Sequence, residues 1–90
     1  MGNAPTDYSL KIARSFLKDF RKLRRQDQLR VRRTLGEIEA SPYKGRKVKA
    51  AKKGQYRWRV GSYRIRYDII GKEIQVLRVL KREDAYRRNQ

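Results

Sequence analysis

Polar and apolar side chains alternate strictly through residues 56–60 and again through residues 63–69, with Gly61-Ser62 between the two runs. A period of two is the signature of a half-buried strand. The runs are Tyr56-Arg57-Trp58-Arg59-Val60 and Tyr63-Arg64-Ile65-Arg66-Tyr67-Asp68-Ile69. After Gly71-Lys72 comes a third run, Glu73 to Leu80, apolar on both faces as a central, doubly covered strand would be. A Gly-X pair between such runs suits a two-residue hairpin turn, where glycine supplies the positive φ. The chain is therefore expected to end in a three-stranded antiparallel meander.

Parity assigns the faces. Tyr56, Trp58 and Val60 share one side of their strand, as do Tyr63, Ile65, Tyr67 and Ile69 of the next, and this side suits a core. Arg57, Arg59, Arg64 and Arg66 fall on the other side. A plain solvated face mixes charges with Ser and Thr, whereas like charges on adjacent strands repel. Four arginines with almost no counter-charge point instead to an anion site.

Upstream, residues 1–7 read as a flexible tail, and residues 8–90 as a single domain. Tyr8 to Ile12 reads as a brief strand. Ile12, Phe16, Phe20 and Leu23 follow at spacings of four, four and three, one face of a helix with Leu17 beside it. Asp27 is placed to cap a second helix. Val31, Leu35 and Ile38 mark its apolar face, with Leu29 nearby. Ser41-Pro42 ends it, because the residue before a proline avoids the helical region. Residues 43–54 form a basic connection in which Val48, Ala50 and Ala51 suggest a weak strand. The fold class is α+β, with an N-terminal helical hairpin packed on one face of a small, mainly antiparallel sheet.

Charge narrows the function. Lys and Arg number 26 against 9 acids, a formal net charge of +17 in 90 residues. Such a surface repels itself and is relieved by a polyanion. The candidate polyanions are nucleic acid, an acidic protein and an anionic membrane; sixteen of the cations are Arg, whose planar fork suits phosphate and stacks on bases, so nucleic acid is the expected partner. The sequence has no cysteine and no histidine, which excludes disulfides, a thiol nucleophile and the usual general base. The acids are few and scattered, so neither a metal site nor a cofactor is expected. The apolar runs are too short to span a membrane, and a cytoplasmic location is expected.

The stretch Tyr56 to Tyr67, the strand after it and Leu80-Lys81-Arg82-Glu83-Asp84-Ala85-Tyr86 together resemble the RelE/ParE toxin superfamily. The helical hairpin, Ser41-Pro42 and the basic stretch ending at Gly54 fit the same pattern. The resemblance implies a RelE-like fold and a type II toxin–antitoxin system. RelE-type members cut mRNA in the ribosomal A site, against the 16S rRNA surface, and an acidic antitoxin wraps and neutralises them. ParE-type members share the fold, lack the nuclease residues and poison DNA gyrase, which is the alternative. Mapped onto this sequence, the RelE pattern implies Arg64, Arg82 and Tyr86 as catalytic residues. It implies Arg57, Arg59 and Lys53 as RNA-binding residues, and Arg66, which shares the Arg64 face by parity, is counted with them. Tyr86 then orients the 2′-hydroxyl, stacks on a base or acts as a weak base; its alternative is to close the hydrophobic edge. Leu77, Val79 and Ile70 are candidates to line a groove for the antitoxin.

Overall fold

The structure is a computed structural model describing residues 8–49 and 51–81. The expected tail, Ala50, and Arg82 and Tyr86 with the rest of residues 82–90 lie outside the described residues. The elements are β1 (Ser9–Ile12), α1 (Arg14–Arg21), α2 (Arg25–Ala40), a 3₁₀ turn (Pro42–Lys44), β2 (Arg46–Lys47), β3 (Tyr56–Val60), β4 (Tyr63–Ile70) and β5 (Glu73–Lys81). The strands form one sheet in the order β1-β5-β4-β3-β2. Pairing is antiparallel except between β1 and β5, which run parallel.

The meander forms where the alternation predicts it. Gly61 and Gly71 take φ of 60° and 61° at the two turns, a conformation that only glycine enters without strain. The pairs Tyr56–Tyr67, Trp58–Ile65 and Val60–Tyr63 stack the predicted apolar face across β3 and β4. Ile65 and Tyr67 are fully buried with Ile74 and Val76 of β5, against Phe16 of α1 and Val31 and Ile38 of α2. Strand β5 is interior, next to the β1 edge, bonded to β1 on one side and β4 on the other.

A bulge changes the parity of β5. The register with β4 shifts between Arg66 and Tyr67, so Tyr67 faces Val76 while Arg66 faces Arg78. Leu77 is the extra residue, and its carbonyl accepts a hydrogen bond from Ser15 Oγ at 2.7 Å. The bulge lets Val76 and Val79, three apart, both enter the core. It is also why this strand reads as apolar on both faces.

Three local expectations change. The expected strand forms as β1 and keeps Ile12, but the first helix begins at Arg14, so Ile12 leaves the helical face and is 37% exposed. The cause is capture by the sheet: the Ser9 and Ala13 amides donate to the Lys72 and Val76 carbonyls, both at 2.9 Å, and hold the chain extended. Asp27 is not the cap of the second helix. Arg24 occupies that position without a side-chain bond, and Asp27 lies inside the first turn, where a negative charge still favours the helix dipole. The weak strand of the basic connection is Arg46–Lys47, earlier than expected. The Val48 amide, donating to the Gln55 carbonyl, extends its pairing.

Candidate functional site

The sheet register assembles the arginines. Arg46 lies opposite Arg57, Arg57 opposite Arg66, and Arg66 opposite Arg78; one row on, Arg59 lies opposite Arg64. Directly paired residues on antiparallel strands share a face. Arg46, Arg57, Arg59 and Arg64 line one cleft of about 250 Å³. Three of these were expected to act together. Arg46 was not, because a two-residue strand leaves no periodicity to read. Its one signal is that it belongs to the basic segment that leads to the meander.

Burial differs sharply within the cleft. Arg64 sits in β4 between β3 and β5 and is only 7% exposed, whereas Arg59 and Arg46 are open to solvent. Arginine is rarely this buried, and a guanidinium cannot shed its charge as burial increases. In surroundings poorer in water its field on an anion is strengthened. No carboxylate among the described residues pairs with Arg46 or Arg59. The cleft thus concentrates positive potential on a rigid sheet, and it suits phosphate oxygens.

Two expected residues lie outside the cleft. Arg66 donates through Nε to the Gly54 carbonyl at 2.8 Å. The Asp68 carboxylate accepts from the Gly54 amide at 2.9 Å and the Gln55 amide at 2.7 Å. Together they clasp the end of the basic connection, which carries exposed Lys53 alongside. Arg78 is also drawn elsewhere. It donates to Asp19 from Nε at 2.7 Å and from Nη2 at 3.0 Å. Asp19 accepts the Val79 amide as well, at 3.1 Å. The pairing of β1 with β5 stops at Val76, so the Asp19 carboxylate of α1 satisfies the next open stretch of strand edge.

The tyrosines nearest the arginine rows are structural. The Tyr67 hydroxyl donates to the Pro42 carbonyl at 2.7 Å. Burial, first among the causes, pushes its pKa up to about 12. This bond anchors the 3₁₀ turn that leads into β2, and so positions Arg46. The Tyr63 hydroxyl donates to Asp27 at 3.3 Å, and burial followed by the Asp27 charge raises its pKa too. Both shifts run opposite to what a base at neutral pH requires. Of the residues expected to line an antitoxin groove, Val79 belongs to the core at 3% exposure, while Ile70 stands open at 57%.

Among the described residues, no three acidic side chains gather as a metal site would require, and no helix is long and apolar enough to cross a membrane.

Known structures share this architecture. The toxin–antitoxin complex RelBE2 from Mycobacterium tuberculosis matches at a TM-score of 0.75 and 24% identity, over 83% of this chain and 98% of that one, a likeness of fold. The RelB–RelE antitoxin–toxin complex from Methanococcus jannaschii matches at 0.67 and 30% identity, over 83% and 93%. The intact E. coli RelBE complex matches at 0.69 and 26%, over 82% and 95%. No curated protein matches the sequence. A family model described as the ParE toxin of the type II toxin–antitoxin system parDE matches residues 10–86, and with the RelE fold it identifies the chain as a member of that family, a type II toxin of the RelE/ParE superfamily.

Proposed function

We propose that this toxin is a ribosome-dependent endoribonuclease that cleaves mRNA by attack of a 2′-hydroxyl on the adjacent phosphorus. The 2′-oxygen forms a new bond to phosphorus, the bond to the 5′-oxygen breaks, and a cyclic phosphate and a 5′-hydroxyl result. A proton leaves the 2′-hydroxyl and another reaches the departing oxygen. The observation that carries this function is the cleft lined by Arg46, Arg57, Arg59 and Arg64.

Extra negative charge builds on the phosphate oxygens during attack. Preorganised guanidiniums stabilise it without having to reorganise. Arg64, rigid and nearly dry, clamps the scissile phosphate together with Arg82, while Arg57 and Arg59 position the backbone. An arginine is a poor general acid because its pKa exceeds about 12. Weak acid–base chemistry leaves orientation as the remaining source of rate. The ribosome supplies it by holding the mRNA in line for attack. Tyr86 orients the 2′-hydroxyl, stacks on a base or accepts its proton. An acidic antitoxin neutralises the positive cleft; the similar RelBE structures are complexes of a toxin with its antitoxin.

The match to the ParE model supports one alternative, a non-catalytic toxin that inhibits DNA gyrase. Brief expression followed by mapping of mRNA ends separates the two. Ribosome-dependent cuts within open reading frames, reduced at least about 100-fold by Arg64→Ala, are expected. Intact mRNA with broken chromosomal DNA would establish the gyrase alternative instead. Cleavage unchanged in Arg64→Ala would defeat the assignment of the clamp.

A further inference from the structure

We propose that the turn between β3 and β4 carries a second anion subsite, formed by Arg59, Arg64 and Ser62 and backed by Arg30 of α2. It takes the phosphate that follows the one held in the arginine cleft. This deepens the nuclease function proposed above and rests on it for the ligand, a single-stranded RNA backbone.

A second cavity of about 260 Å³ is lined by Arg59, Gly61, Ser62, Tyr63 and Arg64. It shares Arg59 and Arg64 with the first cleft. A guanidinium has five N–H donors, more than one phosphate uses, so Arg59, which pairs with no carboxylate among the described residues, can reach neighbouring phosphates of one strand. Ser62 adds a hydroxyl at the exposed tip of the turn.

Arg30 approaches from the helix side. A Cβ added to Gly61 would lie 3.1 Å from its Nη1, so the guanidinium rests directly on the turn. Gly61 thus does two things: it accepts φ of 60°, and it leaves room for a cation against the backbone. Arg30 is exposed and pairs with no carboxylate among the described residues. Asp27, one turn earlier on α2, is engaged by the Tyr63 hydroxyl at 3.3 Å. The turn is therefore flanked by Arg30 on one side and by Arg59 and Arg64 on the other. A strand leaving the first cleft across this turn meets positive charge from both sides.

The test uses the full chain and two 2′-O-methyl RNA oligomers without terminal phosphates, which bind but cannot be cut. A dinucleotide carries one phosphate and a trinucleotide two. At low salt the native toxin is expected to bind the trinucleotide about tenfold more tightly. Arg30→Ala should reduce that ratio to about threefold or less, and Arg30→Lys should keep most of it. The slope of log affinity against log salt for the trinucleotide should flatten by about 0.7 in Arg30→Ala. Thermal unfolding of each variant confirms that it is folded, with Arg30→Gln in reserve if alanine is not tolerated. A native ratio near one, or failure of the trinucleotide to bind, overturns the subsite. So does a ratio that Arg30→Ala leaves unchanged. If the ratio behaves as expected but ribosomal mRNA stays intact, the nuclease function fails and the subsite stands. If mRNA is cut but the ratio is one, the reverse holds.

Discussion

Replacing Gly45 by Ala should destabilise the protein by about 2–3 kcal/mol, although nothing in its backbone requires glycine. Gly45 has φ −65° and ψ 161°, which any residue adopts. On conformational grounds alone, alanine would stabilise by roughly 0.4–1 kcal/mol by restricting the unfolded chain. The obstacle is steric. A Cβ at this position would collide with the Tyr67 hydroxyl oxygen, and it would lie 3.0 Å from Tyr67 Cζ and 3.1 Å from the Arg57 carbonyl. The Tyr67 ring cannot step aside, because it is fully buried and stacked on Tyr56 at 5.6 Å between centroids. Overpacking of this kind costs about 1–3 kcal/mol. If the hydroxyl is pushed off Pro42, a buried hydrogen bond worth about 1 kcal/mol goes with it. Urea unfolding of Gly45→Ala, Tyr67→Phe and the double variant measures this. Tyr67→Phe alone should cost about 1–2 kcal/mol for the carbonyl left without its donor. The double variant should be more stable than additivity predicts by at least about 1 kcal/mol, since removing the hydroxyl removes the nearest clash. A Gly45→Ala cost below about 0.5 kcal/mol, or strict additivity, would refute this account of the turn that positions Arg46.

The raised pKa of Tyr67 makes stability depend on alkaline pH. Its folded value of about 12 lies above the ordinary value of 10. The contribution is complete below pH 10 and is lost as pH rises toward 12, on the order of 2–3 kcal/mol in all, and Tyr67→Phe should flatten that part of the stability profile. Asp19→Ala should cost about 1–3 kcal/mol by denaturant unfolding, mainly because the Val79 amide loses its acceptor. Arg78→Ala should cost less than about 1 kcal/mol, because the Arg78 side chain is 42% exposed and water screens the pair; equal costs would show that the ion pair, and not the edge amide, is what matters. Asp68→Ala should leave the core intact but speed hydrogen exchange of the Gly54 and Gln55 amides, and unchanged exchange at both would remove Asp68 from its role in holding the loop.

The parts of the fold that were legible in the sequence are those set by local pattern. Strict alternation in residues 56–69 determined which face would carry the rings and which the guanidiniums, because side chains alternate along any strand whatever it pairs with. Gly61 and Gly71 marked the turns because a positive φ is a property of the residue itself. Phe16, Val31 and Ile38 were legible as core at helical spacing. The superfamily was legible from the same meander, and the match over residues 10–86 agrees with it. Arg82 and Tyr86 rest on that resemblance alone.

Contacts between distant segments decided the rest. Ile12 fits a helical face by spacing, yet the Lys72 and Val76 carbonyls, more than 60 residues away, hold that segment as a parallel edge strand. The bulge at Leu77 follows from the mismatch of two particular strands, and it reverses the parity of everything after it. Arg66 and Arg57 look equivalent in sequence, but one grips Gly54 and the other lines the cleft, because only their neighbours across the sheet differ. Arg46 is one of several cations in a basic segment until β2 pairs with β3 and sets it opposite Arg57. Sequence by itself determined the chemistry of each face, since that depends on residue type and period. Tertiary structure decided which charges meet, since that depends on registers and edges created only when remote strands pair.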